Sequence, residues 1–154
     1  MRRWLLVLLA CFFAFMTACG ETEDVSSLAE RAARSGILPV GAWYSGEAEA
    51  WEEGYLPEAL RAVFLGEEGS VGLSYRLFLG RGEARPSEVL IAVCDTQDRA
   101  IRLAEHLAAR LAYLQELGED AYAPALTQAA VRRKGRTVVY VAVEDGEAVL
   151  SYIL

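Results

Sequence analysis

Apolar and polar positions change period repeatedly along this chain, and each change predicts an element. After Arg2 and Arg3, residues 4–16 are unbroken apolar sequence, closed by Thr17, Ala18 and Cys19. The next five residues, Gly20-Glu21-Thr22-Glu23-Asp24, are polar and acidic and read as a tether. Leu28, Ala29, Ala32 and Ala33 then recur at helical spacing, which predicts a short helix over 26–34 stopped by Gly36. No period holds over 37–54, where Pro39, Gly41, Gly46 and Gly54 interrupt the chain. A second short helix is predicted over 57–65, with Pro57 in its first turn, where a missing N–H costs nothing, and Gly66 at its end.

The later half has clearer periods. Val71, Leu73, Tyr75, Leu77 and Leu79 alternate with more polar neighbours, the period of a half-buried strand. A breaker-rich loop over 80–87 leads to a continuous β-favouring run over 89–94, which suits a central strand. Asp95 or Thr96 caps the longest helix, over 97–117, with a stripe of Ala100, Leu103, Ala104, Leu107, Leu111 and Leu114 and a stop at Gly118. After a linker over 119–124, strands are predicted over 129–133 and 137–143, joined by a Lys134-Gly135 turn, with a final helix over 147–154. The order β-β-α-β-β-α, preceded by two short helices, predicts an α+β fold. We expect a two-layer sandwich built on a mainly antiparallel four-stranded sheet with helices on one face.

The start of the chain resembles a bacterial lipoprotein signal: a charged opening, an apolar middle, then Met16-Thr17-Ala18-Cys19. The resemblance implies diacylglycerol transfer to the Cys19 thiol and cleavage before it. The domain layout is then a signal over 1–18, a lipidated Cys19 with its tether over 19–24, and one domain over 25–154. Counted to Ala18, the apolar run makes about 22 Å of helix, short of the ~30 Å of hydrocarbon that a plain anchor must cross. Ordinary secretion would not need the cysteine, and Arg2-Arg3 lacks the flanking pattern of a twin-arginine signal. A lipidated Cys19 places the domain on the outward face of the cell membrane. Gly20 after it resembles the pattern of outer-membrane lipoproteins in a two-membrane host.

Charge and cysteines narrow the function classes. Loss of Arg2 and Arg3 with the signal takes the basic count from 15 to 13 against 22 acidic residues, a balance of −9. Such a domain has no net attraction for nucleic acid, and no nucleic-acid partner is expected. Cys11 leaves with the signal and Cys19 is consumed by lipid, so Cys94 has no partner for a disulfide.

Candidate chemistry is sparse. Cys94 could be a nucleophile only beside a base, yet His106 lies about 16 Å along the predicted helix from its start, on a face shared with Arg99 and Arg102 that is expected to meet water. One histidine and one buried thiol do not make a zinc site. The acids Glu47, Glu49, Glu52, Glu53 and Glu58 lack the spacing of a calcium loop. Gly80-Arg81-Gly82 is followed by a strand, where a phosphate loop needs a helix N-terminus. No catalytic residue, metal ligand or cofactor is therefore assigned. Arg132, Arg133, Lys134 and Arg136 form a concentrated basic patch that could touch anionic lipid or a wall polymer, or simply solvate a turn and guard a sheet edge. Trp43, Tyr44, Trp51 and Tyr55 are a candidate ligand surface, or a lid on a small core.

The later half resembles a family of small lipoproteins of Gram-positive anaerobes known only as a domain of unknown function. The resembling segments are Leu73-Ser74-Tyr75-Arg76-Leu77, Glu88-Val89-Leu90-Ile91-Ala92-Val93, the long helix with Arg110 near its end, and Tyr122-Ala123-Pro124 leading to Val138-Val139-Tyr140-Val141. The resemblance implies the fold and the location, and no activity. The function expected is a membrane-anchored lipoprotein whose non-enzymatic domain binds or supports an envelope protein or wall polymer. An envelope hydrolase using carboxylates brought together by the fold, or a structural subunit of an envelope complex, are the alternatives.

Overall fold

Both faces of the central strand are dry. In the computed structural model, which describes residues 23–67, 69–84, 86–118 and 122–154, strand β3 (Glu88–Cys94) has every residue buried except the half-buried Val93. An alternating chain with both faces buried needs cover on each, and the sheet has it. Helices α1 (Val25–Arg34) and α5 (Gly146–Ile153) lie on one side, α2 (Glu58–Leu65) and the long α3 (Gln97–Leu117) on the other. Val89 and Ile91 pack with Leu28, Ala32, Val139, Val141, Val149 and Ile153. Leu90, Ala92 and Cys94 pack with Phe64, Leu77, Leu103, Leu107, Val138 and Tyr140. Each such fully buried aliphatic side chain contributes about 1.5–3 kcal/mol.

The sheet is antiparallel throughout, in the order β1-β2-β3-β5-β4. Its strands besides β3 are β1 (Gly41–Ser45), β2 (Leu73–Gly80), β4 (Ala130–Lys134) and β5 (Thr137–Ala142). Helix α3 carries the chain from β3 across one face, and a one-turn helix α4 (Ala123–Thr127) delivers it to the outer strand β4. The β4–β5 hairpin then folds β5 back against β3.

The α+β class and the antiparallel sheet agree with expectation; the four strands, the two layers and the single helical face do not. The extra strand is β1, inside the segment whose glycines broke every period. Gly41 is there because of packing: a Cβ at that position would overlap the Phe78 ring and the Leu79 carbonyl. The additional layer follows from α1 and α5, whose apolar stripes find the second face of β3 and β5. Smaller shifts accompany these. β2 begins at Leu73, leaving Val71 78% exposed, and α4 begins within the expected linker over 119–124 and runs on to Thr127. The expected helix over 97–117 matches α3 at both ends. Thr96 Oγ1 accepts from the Arg99 amide at 3.2 Å, and Gly118 leaves the helix in the left-handed region at φ 59°.

Candidate functional site

Cys19 and the signal lie outside the described residues. The fold begins at once after them: Val25 is 1% exposed, and Glu23 is held by Arg31 at 2.7 Å. The same guanidinium donates to the Ile153 carbonyl at 2.9 Å. The expected tether is thus fastened to the domain at Glu23, beside the last turn of α5.

The basic residues of the β4–β5 hairpin are shared between both faces of the sheet. Arg132 and Lys134 lean toward α5: Arg132 Nη2 lies 3.5 Å from Glu147 Oε1, and Lys134 Nζ donates to the Leu154 carbonyl at 3.1 Å. Arg133, on the alternate face, curls back to the Gly135 carbonyl at 2.8 Å. Arg136 reaches the Asp95 carbonyl at 3.0 Å. Three of these charges, Arg133, Lys134 and Arg136, surround the turn and meet again at that end of the sheet.

The four aromatic residues are not brought together. Trp43 faces the α1 side and packs on Phe78 with ring centroids 5.5 Å apart. Tyr44 points to the opposite face. Trp51, 82% exposed, stands on the excursion after β1, and Tyr55 lies beneath the Arg61 guanidinium at 5.7 Å. The glutamates at 47, 49, 52, 53 and 58 are all exposed. Among the described residues, no group of three His, Cys, Asp or Glu side chains is placed to hold a metal ion.

Cys94 is buried, and burial pushes its thiol pKa up. His106 is half-buried, not turned to water as expected. Its Nε2 lies 2.9 Å from the Val63 carbonyl, and since a carbonyl only accepts, Nε2 carries the hydrogen. It pins the end of α2 to α3 and, with Arg99, Arg102 and Leu103, lines a cleft of about 280 Å³. The loop over 80–87 makes a single 3-10 turn, Gly82–Ala84, before β3. Glu83 from that turn joins Glu144 and Asp145 around a second cleft of about 310 Å³.

Sequence reasoning missed the most heavily buried polar cluster. Glu88, 6% exposed, opens β3. Arg110 from α3 grips it with Nη2 2.6 Å from Oε1 and Nε 3.3 Å from Oε2. The Tyr140 hydroxyl of β5 donates to Oε2 at 2.8 Å, and Phe64 of α2 covers the guanidinium at 4.5 Å. Four elements therefore meet at one carboxylate. A charged residue opening an apolar strand, and an arginine in register with Leu103 and Leu107, were the available signals. Burial would depress the Arg110 pKa, but the Glu88 charge overrides it and leaves it raised. Tyr140 is raised strongly, first by burial and then by that same charge. Tyr75 is raised by burial, against the opposing pull of Arg61, and its hydroxyl has no hydrogen-bond partner among the described residues.

These two phenols make stability depend on alkaline pH. A free tyrosine loses its proton near pH 10, so above that pH the unfolded chain sheds protons that the native chain retains. Stability is complete below about pH 10 and falls as the pH rises further. Of the seven tyrosines, Tyr75 and Tyr140 are expected to ionise only together with unfolding in an ultraviolet phenolate titration. Reversible ionisation of all seven in the native protein would contradict this.

No protein-family model matches the chain, and neither does any curated protein or solved structure.

Proposed function

We propose that this chain is a membrane-anchored bacterial lipoprotein whose α+β domain is a non-enzymatic binding or support module of the cell envelope, as the family resembled by its later half would be. One juxtaposition carries the reading. The cysteine of Met16-Thr17-Ala18-Cys19 stands six residues before Val25, which is 1% exposed. At no more than about 3.6 Å per residue, that interval holds the domain within roughly 20 Å of its lipid. Two or three acyl chains, at about 0.8 kcal/mol per buried CH₂, make the attachment effectively permanent.

The interior supports a scaffold more than a reactive centre. Among the described residues, the groups whose protonation is most altered are Tyr75, Cys94, Arg110 and Tyr140. All of them are locked into the core or into the ion pair across it. The hydrolase alternative has one observation in its favour, the cleft bordered by Glu83, Glu144 and Asp145. Those three carboxylates are exposed to solvent.

Metabolic labelling with a clickable palmitate analogue tests the anchor. The full chain expressed in a bacterium is expected to take up label and to partition into the detergent phase, and Cys19→Ala is expected to lose the label entirely. Labelling that survives Cys19→Ala would overturn the assignment.

A further inference from the structure

We propose that the cleft between the Gly82–Ala84 turn and the start of α5 binds an aliphatic primary ammonium group, an inference that rests on the domain being a binding module. Separate parts of the chain meet there. The 3-10 turn leads into β3, Ile37 and Pro39 follow α1, and Val143, Glu144 and Asp145 join β5 to α5. With Pro124 of α4 they enclose about 310 Å³, within the range of small-molecule sites.

Ser87 offers this cleft a polar atom that the fold does not use. Consecutive strand residues point to opposite faces. Glu88 turns toward Arg110 on α3, so Ser87 just before it turns toward the α1 and α5 side, where it lines the cleft. It is 9% exposed. Its amide donates to the Ala84 carbonyl at 2.9 Å, and its carbonyl accepts from the Gly80 amide at 2.8 Å. Its hydroxyl has no hydrogen-bond partner among the described residues. A hydroxyl buried this far is normally bonded, and the cleft is where a partner can reach it.

The rim sets the sign of the ligand. Glu83, Glu144 and Asp145 border the cleft, and among the described residues no lysine or arginine lines it. Arg81, just before the turn, is exposed and outside that lining. Arg34 at the end of α1 is held by Glu30 at 2.6 Å, and Arg110 is answered by Glu88 on the other face of the sheet. The acids are not spent on the end of α5 either. Glu147 in its first turn complements the helix dipole, and Asp145 makes no side-chain capping bond. A cleft lined by one sign of charge concentrates the opposite ion.

The walls then choose among cations. Among the described residues, no three acids are placed to hold a metal ion. No aromatic ring among them lines the cleft, so a quaternary ammonium finds no cage. Ile37, Pro39, Pro124 and Val143 supply aliphatic wall instead. An alkyl ammonium matches both parts. It carries three N–H donors and no acceptor, suited to the carboxylates and Ser87 Oγ, and its methylene stem lies along apolar surface. A free diamine and a lysyl side chain share this chemistry.

The test titrates the full chain, purified from cells in a neutral detergent with its isoleucine and valine methyl groups labelled for NMR. The probes are cadaverine, Nα-acetyl-lysine methylamide and, as an uncharged match, pentanol. Saturable shifts of the Ile37 and Val143 methyl signals are expected with an amine and not with pentanol. The tighter amine identifies the source, free diamine or lysyl side chain. Glu144→Gln combined with Asp145→Asn is expected to weaken binding by about tenfold or more, and Ser87→Ala by roughly tenfold, the loss of one hydrogen bond to a charged group. Glu49→Gln with Glu53→Gln removes the same charge from the exposed excursion after β1 and should leave binding unchanged. Methyl signals away from the cleft report that each variant is folded, and the parent protein alone already decides the sign of the ligand. Equal shifts from cadaverine and pentanol would overturn the cation. Undiminished binding by the Glu144→Gln, Asp145→Asn variant would overturn the site. No shift at Ile37 or Val143 would overturn the cleft and leave an anchored domain with another partner. Cleavage of the lysine derivative would overturn the non-enzymatic reading and keep the ligand class.

Discussion

Glu88→Ala is expected to destabilise the domain by about 3–5 kcal/mol, the cost of removing one partner from a buried ion pair. Two groups lose their acceptor at once. The Arg110 side chain, 17% exposed against 7% for Glu88, keeps its charge with nothing to answer it. The Tyr140 hydroxyl, fully buried, loses the oxygen it donates to. Arg110→Leu alone should be comparably harmful, since it strands the carboxylate. Glu88→Leu combined with Arg110→Leu should recover much of the loss, because the double variant buries no uncompensated charge. Tyr140→Phe removes one bond to a charged group and should cost about 1.5–3 kcal/mol. Urea unfolding of the parent, single and double variants measures this directly. A Glu88→Ala variant within about 0.5 kcal/mol of the parent would mean that the cluster does not hold the fold.

The second large effect tests the layering. Leu90→Ala and Ile91→Ala, adjacent on β3, should each cost about 2–5 kcal/mol. Consecutive strand residues point to opposite faces, and both of these are fully buried, Leu90 under α3 and Ile91 under α1 and α5. If one face were open, one of the pair would fall within about 0.5 kcal/mol of the parent. Equilibrium unfolding of the two variants decides between covered and open faces, and two large losses are expected.

The sequence was most legible where contacts are local. Helix α3 announces itself by its stripe, the Thr96 cap and Gly118. The β4–β5 hairpin does so by alternation on either side of Lys134-Gly135. The continuous apolar run of β3 already implied cover on both faces, because a strand with one wet face alternates. The two-layer expectation underused that signal. Strand β1 was illegible for another reason. Its glycine answers to the Phe78 ring on the neighbouring strand, so its meaning is not local. The candidate sites divide the same way. The cations of the β4–β5 turn stay together because they are near in sequence. Trp43 and Tyr44 separate because adjacent strand residues must. The Glu88–Tyr140 bond joins residues separated by 52 positions. No spacing rule reaches across that interval until the pairing of β3 with β5 is known.

The ion pair ties α3 to β3 and β5 within the interior, so it does not depend on what the surface meets.

The account stands or falls on the chemistry of Cys19, and mass spectrometry of the mature protein purified from membranes reads it directly. The expected result is an N-terminal peptide beginning at Cys19 with diacylglycerol on its sulfur. A mature chain beginning elsewhere, or a Cys19 peptide without lipid, would contradict it.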